Sequence, residues 1–442
     1  MAPLAGHKAL VIGGGVAGIT AAVALTQAGR RVTLCEQRHT LGGKASSFVP
    51  PGGRQPVDNS QHVLLRCCTS LLALYDTLGT TELIDWHDSL PLLAADGTRG
   101  AFSAWSALPP PLNLAPAVLA LPGLSWRDRL MLSLAFARMI AADRRRPDDR
   151  TFAQWLGPWT TPNLDRGFWR LMLTSVLNAE ADQVSARYAL LFFLDGLMRH
   201  RDAYHLGVPR APLSVLHHEA PLAWLTSRGQ QVRLGQRVTV RRDGEAFVSS
   251  DGEAYDELVL AVRPEQIAKV VAPELVPASL PALASESIVG VHLWFAEPVD
   301  WPPVLGLMRH DVDWVFALDG GRRLSVVTSA ARSWQGLSPA EAAARTLRAL
   351  RGVDPALPEP TATAACRETQ ATFVPAPGLD GERPSAETAV PGLVLAGVWT
   401  DTGWPATMEG AARSGYRAAE VLTGQTLVPP DLPRQGLFRV TC

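Results

Sequence analysis

Four short stretches hold the residue types and spacings that could do chemistry. The first, "VIGGGVAGIT" (residues 11–20), sets Gly13, Gly15 and Gly18 as Gly-x-Gly-x-x-Gly. In that spacing the first glycine allows a tight turn, the second lets backbone approach a pyrophosphate, and the third lets a helix pack close on a strand. The phosphates would rest on the amides of Val16 and Ala17 at the helix start, where free N–H groups and the helix dipole favour anions. Glu36, with Gln37 beside it, ends the next apolar run. A carboxylate there accepts hydrogen bonds from ribose hydroxyls, which argues for an adenosine without a 2′-phosphate. The second stretch, "RHTLGGKASS" (residues 38–47), offers a further close backbone approach at Gly42 and Gly43 and positive charge for a pyrophosphate at Arg38 and Lys44. The third, "PVDNSQHV" (residues 56–63), crowds Asp58, Asn59, Gln61 and His62 together. Asp58 and His62 can titrate and are the candidates for moving a proton, while Asp58, Asn59 and Ser60 are also ordinary helix caps. The fourth, "LVLAGVWTDTGWPATMEGAARSG" (residues 393–415), ends a strand at Gly397 and opens a helix of small residues near Thr407 and Met408. It lacks the glycine spacing and the following acid, so it is not a second nucleotide turn. Its helix start suits negative charge at the far end of the same cofactor.

The elements that must position these residues are legible around them. Ala9–Ile12 predicts a buried strand, Gly29 closes a helix, and Val32–Cys35 predicts a second strand, together a β-α-β unit. Residues 230–264 alternate polar and apolar around Asp243-Gly244 and Asp251-Gly252, which predicts short strands returning to the nucleotide domain and ending at "LVLAVRP" (residues 258–264). At 442 residues the chain is long for one core, and two interleaved domains are expected. Residues 1–90, 212–275 and 386–425 form the nucleotide domain, 91–211 and 276–385 a substrate domain, and 426–442 a tail. The fold class is α/β, a Rossmann-like domain with an interleaved α+β domain.

Composition excludes several classes. With 47% hydrophobic and 19% charged residues the chain is not disordered, and 41 basic against 42 acidic residues give no electrostatic reason to bind nucleic acid. The five cysteines are odd in number and include the vicinal pair Cys67-Cys68, which fits a reducing, cytoplasmic setting. No targeting signal or membrane span is expected, because the apolar runs are short and broken by glycine, proline and charge. His217 and His218 lack further ligands at metal spacing, so no metal is expected.

The Arg38 to Lys44 segment resembles the arginine and Gly-Gly-[Arg/Lys] extension of the amine oxidase and phytoene desaturase flavoproteins, which implies non-covalently bound FAD. The Asp58 to Val63 segment is similar to the Asp-Asn-Gly-Gln-His-Val pattern of the squalene-associated FAD-dependent desaturases, the hydroxysqualene dehydroxylases of hopanoid biosynthesis, with Ser60 where that family has Gly. Residues 168–190 and 205–238 also resemble that family, and the likeness runs in order from Lys8 to Leu422. It implies that the backbone of Val238, on a strand, holds adenine; that Asn178 and Arg187 line a cavity or serve as a cap and a surface arginine; and that the substrate is a long-chain isoprenoid. The implied reaction is reduction of hydroxysqualene to squalene with NAD(P)H or another external reductant. A helix over residues 124–146, apolar nearly all round between basic clusters, suits insertion into one leaflet of the inner face of the cell membrane, next to other squalene-pathway enzymes, or an ordinary core helix.

Two other readings share these residues. A carotenoid-type desaturase or isomerase would use the same fold with oxidised flavin. A non-catalytic isoprenoid escort would need no intact flavin site, and the complete glycine turn, Glu36 and Gly42-Gly43 argue against it. One position departs from the resembled pattern: Val398 stands where the family carries an acid, and Val398 cannot hydrogen-bond a ribityl hydroxyl, although Asp401 follows closely. Val398→Asp is expected to hold FAD more tightly than the natural chain; flavin titration of the apoprotein giving equal or weaker binding refutes this.

Overall fold

Ala9 to Ile12 are apolar in an unbroken run and all buried, as a parallel strand covered on both faces requires. The structure, a computed structural model, describes residues 6–50, 53, 55–142 and 149–439. It places this segment, β1 (Lys8–Ile12), at the centre of a parallel sheet with β2 (Arg31–Glu36), β3 (Gln231–Leu234), β4 (Glu257–Leu260) and β5 (Leu393–Leu395), in the spatial order β3-β2-β1-β4-β5. The chain turns one way from β1 to β2 and the other way to β4. That reversal opens a crevice at the carboxyl ends of the strands, where ligands of such sheets bind.

Three helices stack beside the sheet: α1 (Val16–Gln27), α2 (Thr69–Leu78) and α3 (Met408–Thr423). The α1–α3 contact depends on Gly415, since a Cβ there would sit 2.4 Å from Ala17 O and 2.7 Å from Thr20 Cβ. The α2–α3 contact is polar. Glu409, fully buried, accepts hydrogen bonds from Ser70 N (3.2 Å) and Leu71 N (2.9 Å) and so caps the start of α2, while Arg413 pairs with it at 3.1 Å. Burial raises the Glu409 pKa, with Arg413 and the α2 amides opposing.

The second domain is built on a seven-stranded sheet in the order 362–373, 285–294, 323–328, 314–318, 304–308, 89–94, 99–103. Its strand Ser89–Ala94 pairs in parallel with Val304–Met308 and buries Leu90 and Leu92 in the substrate-domain core. Ser89 and Leu90, expected within the nucleotide domain, thus lie on a strand of this second sheet. A ribbon of Val240–Asp243, Ala246–Ser249 and Ala254–Tyr255 turns at the expected glycines. Val238 is not on a strand; it lies buried in the extended link between β3 and this ribbon.

The helix expected over residues 124–146 runs Trp126–Ala141 and begins with a capping box of Ser125 and Asp128. It is not uniform around its axis. Leu132, Ala135, Phe136 and Met139 face the core, whereas Trp126, Leu130, Leu134 and Ile140 are exposed. Its expected second basic cluster, in residues 143–148, lies outside the described residues. Among the described residues no helix is long and apolar enough to cross a membrane. The packing predicts that Gly415→Val, which drives α1 from α3, lowers stability by about 1–3 kcal/mol; an unchanged denaturation midpoint would contradict it.

Candidate active site

At the end of β1 the chain turns at Gly13, whose φ of +109° only glycine adopts without strain and whose N–H donates to Cys35 O at 2.9 Å. A Cβ on Gly18 would lie 1.8 Å from Gly13 O, so α1 can sit this close to the turn only with glycine there. A Cβ on Gly15 would meet nothing nearer than Gly43 Cα at 4.0 Å, leaving open space over the helix start. The amides of Gly15, Val16 and Ala17 take no protein partner among the described residues. Glu36 is turned onto the same turn, accepting from Gly14 N (2.7 Å) and from Arg38 N (2.8 Å). A carboxylate has about four acceptor positions, so lone pairs remain for hydroxyl donors. Gln37 is exposed and accepts from Arg237 at 3.3 Å.

The second glycine loop lies edge to edge with the first. Gly42 N donates to Gly14 O at 2.8 Å, and Gly15 and Gly42 form a parallel bridge. Gly42 and Gly43 both have positive φ, +106° and +61°. Arg38 closes this loop on itself through Gly43 O (3.1 Å), while the Lys44 ammonium reaches across to Gln370 O on the long strand 362–373 of the substrate domain. Desolvation lowers the Lys44 pKa, with Glu368 opposing and Arg263 adding. The loop is also clamped from behind by two residues that sequence reasoning weighed only as metal ligands. His217 Nδ1 donates to Ala45 O (2.9 Å), which leaves Nε2 to accept from the Tyr75 hydroxyl of α2 (2.8 Å), and His218 Nδ1 accepts from Leu41 N (3.2 Å). Their adjacency in sequence was the available signal; the clamp itself needs α2, distant in the chain. Among the described residues no group of His, Cys, Asp and Glu could hold a metal.

The 393–415 segment comes up to the same carboxyl edge of the sheet. Gly397 N donates to Ser414 Oγ of α3 (2.8 Å), and Trp399 Nε1 donates to Val262 O (3.0 Å), just beyond β4 and beside Gly13. Thr407 caps α3 by accepting from Gly410 N (3.1 Å), and the amides of Met408 and Glu409 take no protein partner among the described residues. Val398 packs against Phe373, Leu379 and Ala406 and offers only its carbonyl, to buried Arg383 at 2.9 Å. Asp401 does not stand in for an acid at Val398. It is exposed, and its carboxylate makes a turn with Gly403 N (3.1 Å). The N–H and C=O of Val238 also lack protein partners among the described residues, an arrangement that burial makes costly unless a ligand or water completes it.

The chain matches the family described as flavin containing amine oxidoreductase over residues 16–423. It belongs to that family. It is 29% identical over 431 residues to a hydroxysqualene dehydroxylase of Rhodopseudomonas palustris, covering 93% of this chain and 97% of that one. It is 24% identical to a 15-cis-phytoene desaturase of Solanum lycopersicum, covering 93% and 77% respectively. A putrescine oxidase shares the fold with a TM-score of 0.70 at 17% identity, covering 95% of this chain and 99% of that one. This chain is an FAD-dependent oxidoreductase. The residues present fit the dinucleotide: unpaired amides at Gly15, Val16 and Ala17, a carboxylate at Glu36, an unpaired backbone at Val238, and the open start of α3.

In this flavoprotein the Asp58 to His62 segment forms the joint between the domains. A Cβ on Gly290 of the strand 285–294 would collide with Asn59 O at 2.7 Å, and His292 Nε2 donates to Asp58 O at 2.8 Å. Asp58 does not cap the following helix, which starts only at Thr69, and neither Asn59 nor Ser60 does. Asp58 Oδ1 accepts from Leu213 N (2.8 Å) and Ser47 Oγ (2.7 Å), and Asn59 Nδ2 donates to Lys44 O (2.8 Å). Burial raises the Asp58 pKa and lowers that of His62, whose Nδ1 donates to Ser60 O (2.8 Å). Asn178 caps the helix ending at Leu177 in the left-handed conformation and ties it to Glu286 O (3.2 Å) and Ala330 N (2.7 Å), while Arg187 pairs with Asp380 on the surface at 2.8 Å.

Burial holds both His217 and His292 at a pKa of about 4, below the ordinary 6.5. Their contribution to stability is full above pH 6.5 and is lost as pH falls toward 4, because the unfolded chain takes up protons that the folded chain does not. Melting temperature is expected to drop across that window, less so in His217→Asn. Parallel curves for the two proteins would exclude the clamp as a source of the acid sensitivity.

Proposed function

We propose that this enzyme reduces hydroxysqualene to squalene. The observation that carries the reading is the similarity to hydroxysqualene dehydroxylases across 93% of this chain and 97% of theirs, against partial coverage of the phytoene desaturases. Reduced flavin, when bound, supplies a hydride from N5, and NAD(P)H or another external donor reduces it. The protein's task is to hold the polyene in a dry apolar space and to protonate the departing allylic hydroxyl. Asp58 is suited to that protonation. Oδ1 is occupied by Leu213 N and Ser47 Oγ, Oδ2 has no protein partner among the described residues, and burial favours the protonated form. His62, kept neutral by desolvation, accepts or relays rather than adding charge.

An isoprenoid substrate dissolves in lipid, and the exposed stripe Trp126, Leu130 and Leu134 on the Trp126–Ala141 helix suits shallow insertion into one leaflet. On this reading the enzyme works at the periphery of the inner membrane face in the cytoplasm, where hopanoid and squalene enzymes would hand over substrate. The similarity to phytoene desaturases supports a second reading, polyene desaturation by oxidised flavin. Supplying protein with hydroxysqualene, FAD and NAD(P)H or dithionite is expected to yield squalene by gas chromatography. Turnover should fall as pH rises through the raised pKa of Asp58, and Asp58→Asn should lose about 10²–10⁴-fold while retaining flavin. Absence of squalene together with consumption of a carotenoid precursor would favour the desaturase instead.

A further inference from the structure

The second domain carries a cleft edged by cationic and polar side chains, none of them among the candidate cofactor residues. It has a volume of about 440 Å³ and is lined by Asn163, Arg166, Arg170, Arg309 and His310. That size falls in the range of small-ligand sites, roughly 300–1,000 Å³, and three arginines line it.

The charges are not all balanced within the protein. Arg170 is neutralised, pairing with buried Asp313 at 2.8 Å and with Glu180 at 3.2 Å. Arg309 donates to Asn163 Oδ1 at 2.6 Å, and its carboxylate partner, Asp96, stands off at 3.8 Å on the surface. Arg166 donates to Pro162 O at 3.2 Å and has no carboxylate within ion-pair distance among the described residues; adjacent Asp165 is engaged by Thr160 Oγ1 at 2.7 Å. His310 Nε2 is buried without a protein partner. Arg309 holds φ +63°, in the left-handed region that non-glycine residues seldom adopt. Arg309 and His310 both line the cleft.

We propose that this cleft binds a phosphate group, as an ester or diphosphate. Planar guanidinium forks match phosphate oxygens, and an anion would supply the counter-charge that Arg166 lacks among the described residues and that Arg309 finds only in Asp96 at 3.8 Å. Two sources share this chemistry. Asn163 Nδ2 also donates to Gly123 O and to Asp128 Oδ2, each at 2.9 Å, so the cleft is hydrogen-bonded to the first turn of the helix that exposes Trp126 and Leu130. A headgroup of an anionic phospholipid is therefore one source, and free diphosphate is the other. The proposal does not rest on the reaction assigned above.

The test uses full-length, flavin-loaded protein and the Arg166→Gln/Arg309→Gln variant. Each is titrated calorimetrically with inorganic diphosphate, and each is floated with vesicles of phosphatidylcholine alone or mixed with phosphatidylglycerol. The natural protein is expected to bind diphosphate, or to prefer the anionic vesicles, and the variant to lose about tenfold or more in whichever binding is seen. Diphosphate binding without vesicle preference identifies a soluble ligand; preference for anionic vesicles that the variant abolishes identifies the headgroup. Flavin content and turnover in detergent should not change. Arg166→Glu, on an exposed side chain bonded only to Pro162 O, supplies the same readout should the double variant not fold. Binding of neither probe by the natural protein, or undiminished binding by folded variants, overturns the proposal.

Discussion

The hydrogen bond from Gly42 N to Gly14 O, 2.8 Å long, brings two glycine loops within a backbone's thickness of each other, and most of the molecule is arranged to keep them there. A Cβ at Gly43 would press on Gly15 Cα at 3.0 Å, and one at Gly14 would meet the Leu41 side chain at 2.5 Å. Leu41 anchors the second loop in the core beneath Gly14, and Ala45 is buried with it. Support comes from behind, where His217 and His218 fix Leu41 and Ala45 and Tyr75 of α2 fixes His217. In turn α2 is capped by Glu409 in the first turn of α3. The second glycine loop and the start of α3 are thus tied together through the buried Glu409–Arg413 pair. Such a pair adds little net stability, because desolvation offsets attraction, but removing one partner would strand a charge in the core.

The two domains meet where the chemistry is expected. Gly290 allows the strand 285–294 to press on Asn59 and Ser60, His292 fixes the carbonyl of Asp58, and Lys44 spans from the second glycine loop to Gln370. Direct contacts through Gly290, His292 and Lys44 therefore fix one domain against the other at this joint. This gives Ser60 a role beyond turn geometry, as it lies under the Gly290 backbone.

The substrate domain divides its labour by helix face. Phe136 packs inward among Phe168, Trp169 and Phe193, while Trp126 and Leu130 point away from the core. The guanidinium-lined cleft adjoins the start of that same helix, so apolar and cationic surface lie side by side.

The nucleotide half of the protein was legible from residue order, because its signals are local. Gly13, Gly15 and Gly18, the strands flanking them, Glu36, and the helix start at Thr407 each follow from steric rules acting over a few residues, and the structure keeps all of them. The sequence also separated the 393–415 segment from a true nucleotide turn. What it left open depended on contacts between distant segments. Whether Asp401 could serve for Val398 turned on a side-chain direction set by Gly403 and Pro384. The fate of His217 turned on α2, that of Asp58 on Leu213 and His292, and the two-faced character of the Trp126–Ala141 helix on which residues its neighbours cover. Local sterics can be read along a chain; burial and the pairing of polar groups are decided only when the chain closes on itself.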